Sequence, residues 1–231
     1  MAEAAKRALV IMAHPDDAEF TAGGTIARLC SQGWEVFYLL TTSGDMGTHD
    51  GNTSREKLAA LREREQMAAA KVLGVMGCTF LRYPDGFLED TAEMRGKIVY
   101  EIRRLRPDLV ITWEPFRRTF THRDHRITGQ AALDAVYPLA RSPLAYPEHL
   151  EQGLHVHRAN EVLLAGAAEP DYYVDVTTFF PTKMAALKKH RSQIGGAPIR
   201  ELRERLRKRM AETGQQAGYQ LAEAFRRLTW T

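Results

Sequence analysis

Two short stretches gather side chains able to hold and use a metal ion. His14-Pro15-Asp16-Asp17 places one imidazole and two carboxylates within four residues. His122-Arg123-Asp124-His125 sets two imidazoles three apart around a further carboxylate. Pro15 pins its φ near −65° and restricts the flanking side chains. At a helix start, residues three apart share a face, so His122 and His125 can act together. A catalytic zinc site takes three protein ligands and keeps one position open. Five side chains, His14, Asp16, Asp17, His122 and His125, compete for those places. Those left over stand beside the metal, where a carboxylate can take a proton from water. A second imidazole there can protonate a leaving group or support an oxyanion. Alone, the first motif has a second reading as a capping turn, with Asp16 or Asp17 serving the amides of the next helix. Two such motifs converging on one crevice argue for metal-assisted hydrolysis.

Other chemistries find less support. With eight histidines and two cysteines in 231 residues, a metal site must be built from imidazole and carboxylate. Cys30 and Cys78 cannot form a disulfide framework and suit a reducing, cytoplasmic setting. Ala22-Gly23-Gly24 lacks the spacing of a dinucleotide fingerprint, and no G-x-S-x-G elbow occurs. A net charge of +3 does not announce a nucleic-acid binder. The basic run at 200–209 mixes both signs without aromatics, as a solvated helix face does. The N-terminal stretch is broken by charge too early for a signal peptide, and no segment approaches 18 uncharged apolar residues. The expected partner is therefore a small molecule, with no nucleic acid and no membrane.

The elements around the motifs alternate. Strands are expected at 7–13, 35–42, 78–83 and 109–113, and helices at 25–33, 54–73, 91–105 and from about 125 to 140. Strand, helix, strand, helix is the pattern of a parallel sheet with right-handed crossovers. In a doubly wound order 3-2-1-4-5, the first and fourth strands are neighbours at the switch point, where such sheets bind ligands. The two motifs follow those two strands. Beyond residue 141 the pattern loosens. Residues 141–158 read as irregular, 161–166 and 172–176 as strands, and 178–191 as a helix. A break follows at Gly195-Gly196, then helical segments at 199–211 and 216–228. The expectation is one α/β domain, a Rossmann-like, doubly wound, mostly parallel sheet flanked by helices. Residues 1–140 form its core, and 141–231 shape the substrate pocket and a C-terminal helical extension.

The ordered set of motifs resembles the LmbE-like family, also called PIG-L-type deacetylases. AHPDDAEF, the following GGTIA and THRDH carry the likeness. It extends to Thr42-Ser43-Gly44-Asp45, Arg62-x-x-Glu65, Tyr83-Pro84-Asp85-Gly86, Val174-Asp175-Val176, His190-Arg191-Ser192-Gln193 and Ala222-Glu223-Ala224-Phe225. The resemblance implies a zinc-dependent enzyme, with another divalent metal such as Fe2+ as an alternative. It would remove the acetyl group from an N-acetylglucosamine-type amino sugar or its conjugate. Residue by residue, His14, Asp17 and His125 match the metal ligands. Asp16 matches the general base, and His122 the histidine that aids cleavage as acid or oxyanion partner. Arg62 and Asp85 match positions that hold the sugar, and His190 lies near the reacting carbonyl.

Some positions depart from the family pattern. Arg123 stands where Pro is common and Asp45 where Glu is. Thr121 replaces an Arg that some relatives carry, so Arg117, Arg118 or Arg123 must take that role or leave it empty. The family also implies a homo-oligomer, a trimer or hexamer. Alternatives are an amidase for a thiol-sugar conjugate, a deacetylase for a secondary metabolite and a non-catalytic metal- or sugar-binding protein. Among the other histidines, His155 and His157 are open as substrate contacts, while His49 and His149 read as polar surface.

Overall fold

Six residues, Arg7–Met12, form strand β1 at the middle of the sheet. Ala8, Val10 and Met12 face one layer and Leu9 and Ile11 the other, and all five are buried. Burial on both faces is why the strand reads as an unbroken apolar run. The computed structural model describes residues 5–119, 121–195 and 198–230. Its other strands are β2 (Glu35–Thr42), β3 (Gly77–Tyr83), β4 (Leu109–Trp113), β5 (Glu161–Ala165), β6 (Tyr172–Asp175) and β7 (Ala222–Thr229). The α-helices are α1 (Asp17–Ser31), α2 (Arg55–Leu73), α3 (Ala92–Leu105), α4 (Arg123–Val136), α5 (Pro147–Glu151), α6 (Phe180–Leu187), α7 (Arg191–Ile194) and α8 (Ile199–Gln215).

The sheet runs β3-β2-β1-β4-β5-β7-β6. The first five of these strands pair in parallel, and β7 is antiparallel to both neighbours. Helices α1, α2 and α6 bury alanine-rich faces on one side, including Ala18, Ala22, Ala69 and Ala186. Helices α3 and α4 cover the other with Met94, Ile98, Ile102, Ala131 and Ala135. A third cluster, with Val176, Phe180, Met184, Leu202 and Met210, seats α8 over α6. The result is the expected single α/β domain with a mostly parallel sheet.

Four local expectations are corrected. Residues 216–228 are not helical over their length: 222–229 form β7, which inserts between β5 and β6. Helix α1 starts eight residues before the expected position, and Gly23-Gly24 lies inside it rather than in a loop. A Cβ on Gly24 would stand 2.7 Å from Val176 Cβ, so close packing requires glycine there. The expected helix at 178–191 is broken into α6 and α7, with a 3-10 turn ahead of it, and 141–158 contains the short α5. Of the expected break, Gly195 is described and Gly196 lies outside the described residues, as do residues 1–4 of the N-terminal stretch.

Candidate metal and catalytic site

All four loops that follow β1, β2, β3 and β4 come together at the carboxyl end of the sheet. His14 leaves β1 and is buried. Its Nε2 lies 3.0 Å from Asp85 Oδ1 and 3.4 Å from Asp124 Oδ2. Both carboxylates also accept main-chain amides, Asp85 from Met46 at 3.1 Å and Asp124 from Gly86 at 2.6 Å. A proton on His14 Nε2 satisfies these acceptors and leaves the lone pair of neutral His14 on Nδ1. This is how outer carboxylates orient a metal-binding imidazole.

His14 Nδ1 faces two further donor atoms. His125 Nε2 is 3.2 Å away and Asp17 Oδ2 3.4 Å, while His125 Nε2 lies 3.2 Å from Asp17 Oδ1. Tetrahedral donors held about 2.0–2.1 Å from zinc stand about 3.3–3.4 Å apart, so this triad fits a metal ion. A ring nitrogen of His122 belongs to the same cluster, within 4.8 Å of atoms on His14 and His125. Trp113, at the end of β4, stacks on His125 with ring centroids 3.9 Å apart and donates from Nε1 to Asp17 Oδ2 at 3.1 Å.

The electrostatics call for a cation. Burial works against charge on His14, but Asp17, Asp124 and Asp85 outweigh it and push its pKa up to about 12. Asp17 is held well below the carboxylate range: burial opposes its charge, and His125 and His14 more than compensate. A divalent ion held by these residues would answer the same field as a proton and would displace it. Asp16 behaves oppositely. Burial, with Asp17 adding repulsion, raises its pKa to about 7, against the pull of Arg62. Its side chain makes no cap bond, so the capping-turn alternative fails for it. His122 caps α4 instead, its Nδ1 accepting the Asp124 amide at 3.1 Å. The proton of neutral His122 is thereby placed on Nε2. Burial and the neighbouring His14 and His125 lower its pKa, favouring that neutral form.

A cleft of about 670 Å³ opens beside this cluster, lined by His125, Trp113, Thr21 and Arg117 and, from α8, by Arg209 and Met210. Imidazoles, a perturbed carboxyl and a cleft gathered at a switch point describe a hydrolytic centre. Known proteins agree. The family model described as PIG-L, GlcNAc-PI de-N-acetylase, matches residues 9–136. The chain belongs to the PIG-L family. It is 36% identical over 222 residues to diacetylchitobiose deacetylase of Thermococcus kodakarensis, a match covering 96% of this chain and 82% of that protein. A probable N-acetyl-alpha-D-glucosaminyl L-malate deacetylase of Bacillus cereus is 31% identical, covering 81% of this chain and 84% of that one. The crystal structure of N,N'-diacetylchitobiose deacetylase from Pyrococcus horikoshii, complexed with an inhibitor, superposes with a TM-score of 0.92 at 33% identity. That match covers 97% of this chain and 84% of its counterpart.

Within the PIG-L site, the fold brings His14, Asp16, Asp17, His122 and His125 together. The three positions expected to contact the substrate, Arg62, Asp85 and His190, sit deeper. Arg62 donates to Pro15 O at 2.6 Å, Gly44 O at 2.9 Å and Asp16 Oδ2 at 3.3 Å. Asp85 serves His14, as above, and His190 is fully buried against Glu19. Of the arginines considered for the empty position, Arg123 turns to Leu88 O, whereas Arg117 lines the cleft. His157 bonds Pro107 O at 2.8 Å, at the amino end of β4 and away from the site. His149 is not polar surface: it is buried between Tyr146 and Tyr100. Sequence reasoning gave no role to Asp124, Trp113, Glu19 or Gln66. For Asp124 and Trp113 the available signal was position, inside the second motif and at the tip of the fourth strand.

Proposed function

We propose that this protein is a metal-dependent N-deacetylase acting on an N-acetylglucosamine-type amino sugar or its conjugate. The observation that carries this reading is the spacing of His14 Nδ1, Asp17 and His125 Nε2 at 3.2–3.4 Å, with the raised Asp16 carboxyl beside them. In this reading those three residues hold zinc, or Fe2+ in its place. Such an ion supplies Lewis acidity, polarising the amide carbonyl and making water easier to deprotonate. Asp16 takes the proton from the attacking water, a task matched by a pKa near the working pH. Arg62 fixes the Asp16 carboxylate for it. His122, neutral with its proton on Nε2, donates to the carbonyl oxygen as negative charge gathers there. The C–N bond then breaks, and the proton held by Asp16 passes to the departing amine. Acetate and a free amino sugar result.

The cleft beside His125 gives the rest of the substrate a place, which supports a conjugate or second sugar over a bare monosaccharide. Two free cysteines, Cys30 and Cys78, support a reducing compartment, the cytoplasm. Acetate release from N-acetylglucosamine and from diacetylchitobiose, with and without a chelator, tests the proposal. Release that stops with chelator and returns with zinc supports it. No release from either substrate by the metal-loaded protein overturns it.

A further inference from the structure

Asp16 holds a main-chain conformation that side chains make costly. Its φ is 96°, in the left-handed region that favours glycine. Strained residues of this kind persist only where their surroundings over-determine them. The restraint lies behind Asp16, in a run of buried polar groups. The Asp16 N–H donates to Gln66 Oε1 at 2.9 Å. Gln66 Nε2 donates in turn to Glu19 Oε1 at 3.0 Å, an oxygen that also accepts the Tyr38 hydroxyl at 3.1 Å. Glu19 Oε2 faces His190 Nε2 at 3.1 Å. Gln66, Glu19 and His190 are 0% exposed and Tyr38 is 1% exposed. Water cannot replace a partner lost from such a place, so each bond enforces the next.

The order of donors and acceptors has one solution. The Asp16 N–H can only donate, so the amide oxygen of Gln66 must point at it and the amide nitrogen at Glu19. A flipped amide would set two donors together at Asp16 and two acceptors together at Glu19. His190 and Tyr38 hold Glu19 in turn. Arg62 restrains the Asp16 carboxylate at 3.3 Å and the carbonyl side of the Pro15–Asp16 peptide at 2.6 Å, while Gln66 holds the N–H side of the same peptide.

We propose that Gln66, locked by Glu19, Tyr38 and His190, is a positioning residue that holds the Asp16 main chain so that its carboxylate stands beside the metal cluster. This rests on the reading of Asp16 as the general base. His190, which the family resemblance set near the reacting carbonyl, acts in this arrangement from behind the base.

The test is a double-mutant comparison on metal-loaded protein. Gln66→Met, which keeps length but loses both hydrogen bonds, is assayed for kcat and KM on diacetylchitobiose, alone and combined with Asp16→Asn. Metal content and thermal unfolding are followed in parallel. The expected result is a kcat at least about 10-fold lower, with KM changed less than about 2-fold and metal retained. In the Asp16→Asn background Gln66→Met then costs almost nothing more, because the group it positions is already disabled. An equal fold-loss in both backgrounds shows general damage and overturns the proposal, as does an unchanged kcat for Gln66→Met. Full activity of Asp16→Asn brings down the base assignment and this inference with it. A dead Asp16→Asn beside an unaffected Gln66→Met brings down this inference alone. If Gln66→Met does not fold, Glu19→Gln preserves volume, removes the carboxylate and is held to the same comparison.

Discussion

Trp113 and His125 lie face to face, ring centroids 3.9 Å apart and planes within 9°. The same indole reaches Asp17 Oδ2 through its N–H at 3.1 Å. One side chain at the tip of β4 therefore sets the ring plane of one proposed ligand and the carboxylate orientation of another. Outer partners of this kind typically matter 10–100-fold in metal affinity. Trp113→Phe retains an aromatic face but loses the donor. Titration calorimetry or chelator competition should show zinc bound about 10–100-fold more weakly. An unchanged affinity would mean the indole is only a wall of the cleft.

Replacing the proposed base isolates its contribution. Asp16→Asn keeps the size of the side chain, and asparagine tolerates positive φ. The expected loss in kcat is on the order of 10²–10⁴-fold with metal content unchanged. Near-normal turnover with metal bound rules out Asp16 as the base.

Acid should act on this site twice. Asp16 works in its deprotonated form, and its pKa is raised to about 7, so kcat/KM should climb as pH rises toward that value. A bound cation favours the carboxylate, which moves the limb below 7. Metal binding displaces the proton that His14, at about 12, otherwise holds, so affinity must also rise with pH. Rate profiles at saturating and at limiting zinc separate the two effects. Only the limiting-zinc profile should steepen, and a metal affinity that falls as pH rises contradicts the ligand assignment.

Legibility in the sequence followed burial pattern. The parallel strands β1, β2 and β4 are covered on both faces and appear as apolar runs, so they and the motifs after them could be placed. β7 could not. Its residues, AEAFRRLT, favour helix by propensity, and Leu221, Phe225 and Leu228 recur at helical spacing. Antiparallel pairing between β5 and β6 overrides that preference. Gly23-Gly24 reads as a loop until Val176 and Lys183 are seen packed where a Cβ would stand. The paired histidines and carboxylates of the site were visible by type and spacing. Gln66 and Glu19 were not, because hydrogen bonds across separate elements leave no local pattern.

Glu223 of β7 ties the last part of the chain to α1. It accepts the amides of Gly24 and Thr25 at 2.9 and 2.7 Å and the Lys183 ammonium at 2.5 Å. Lys183 also donates to Phe20 O at 2.8 Å, and both charged side chains are buried. Glu223→Ala leaves Lys183 as an unpaired buried charge, a change that typically costs about 3–5 kcal/mol. For a chain of this size, calorimetry should show Tm lower by roughly 10 °C. Lys183→Met with Glu223→Gln removes both charges and should recover much of that loss. A double variant no more stable than Glu223→Ala would show that the amide bonds, not the charge pair, dominate.

Arg117 offers a test of where the rest of the substrate would lie. It lines the cleft beside His125, its only polar contact among the described residues is Gly166 O at 3.4 Å, and its buried Nε has no partner. A guanidinium with unused donors in a cleft wall suits the hydroxyl and ether oxygens of a second sugar. The cleft lies next to the metal cluster rather than within it, so the acetyl group itself need not touch Arg117. Arg117→Met should therefore raise KM for diacetylchitobiose about 10-fold, the scale of one to two hydrogen bonds from a charged donor. KM and kcat for N-acetylglucosamine should stay nearly unchanged, since removing uniform binding to a remote moiety leaves the chemical step intact. If instead kcat falls equally on both substrates, Arg117 faces the reacting carbonyl and fills the role left open by Thr121.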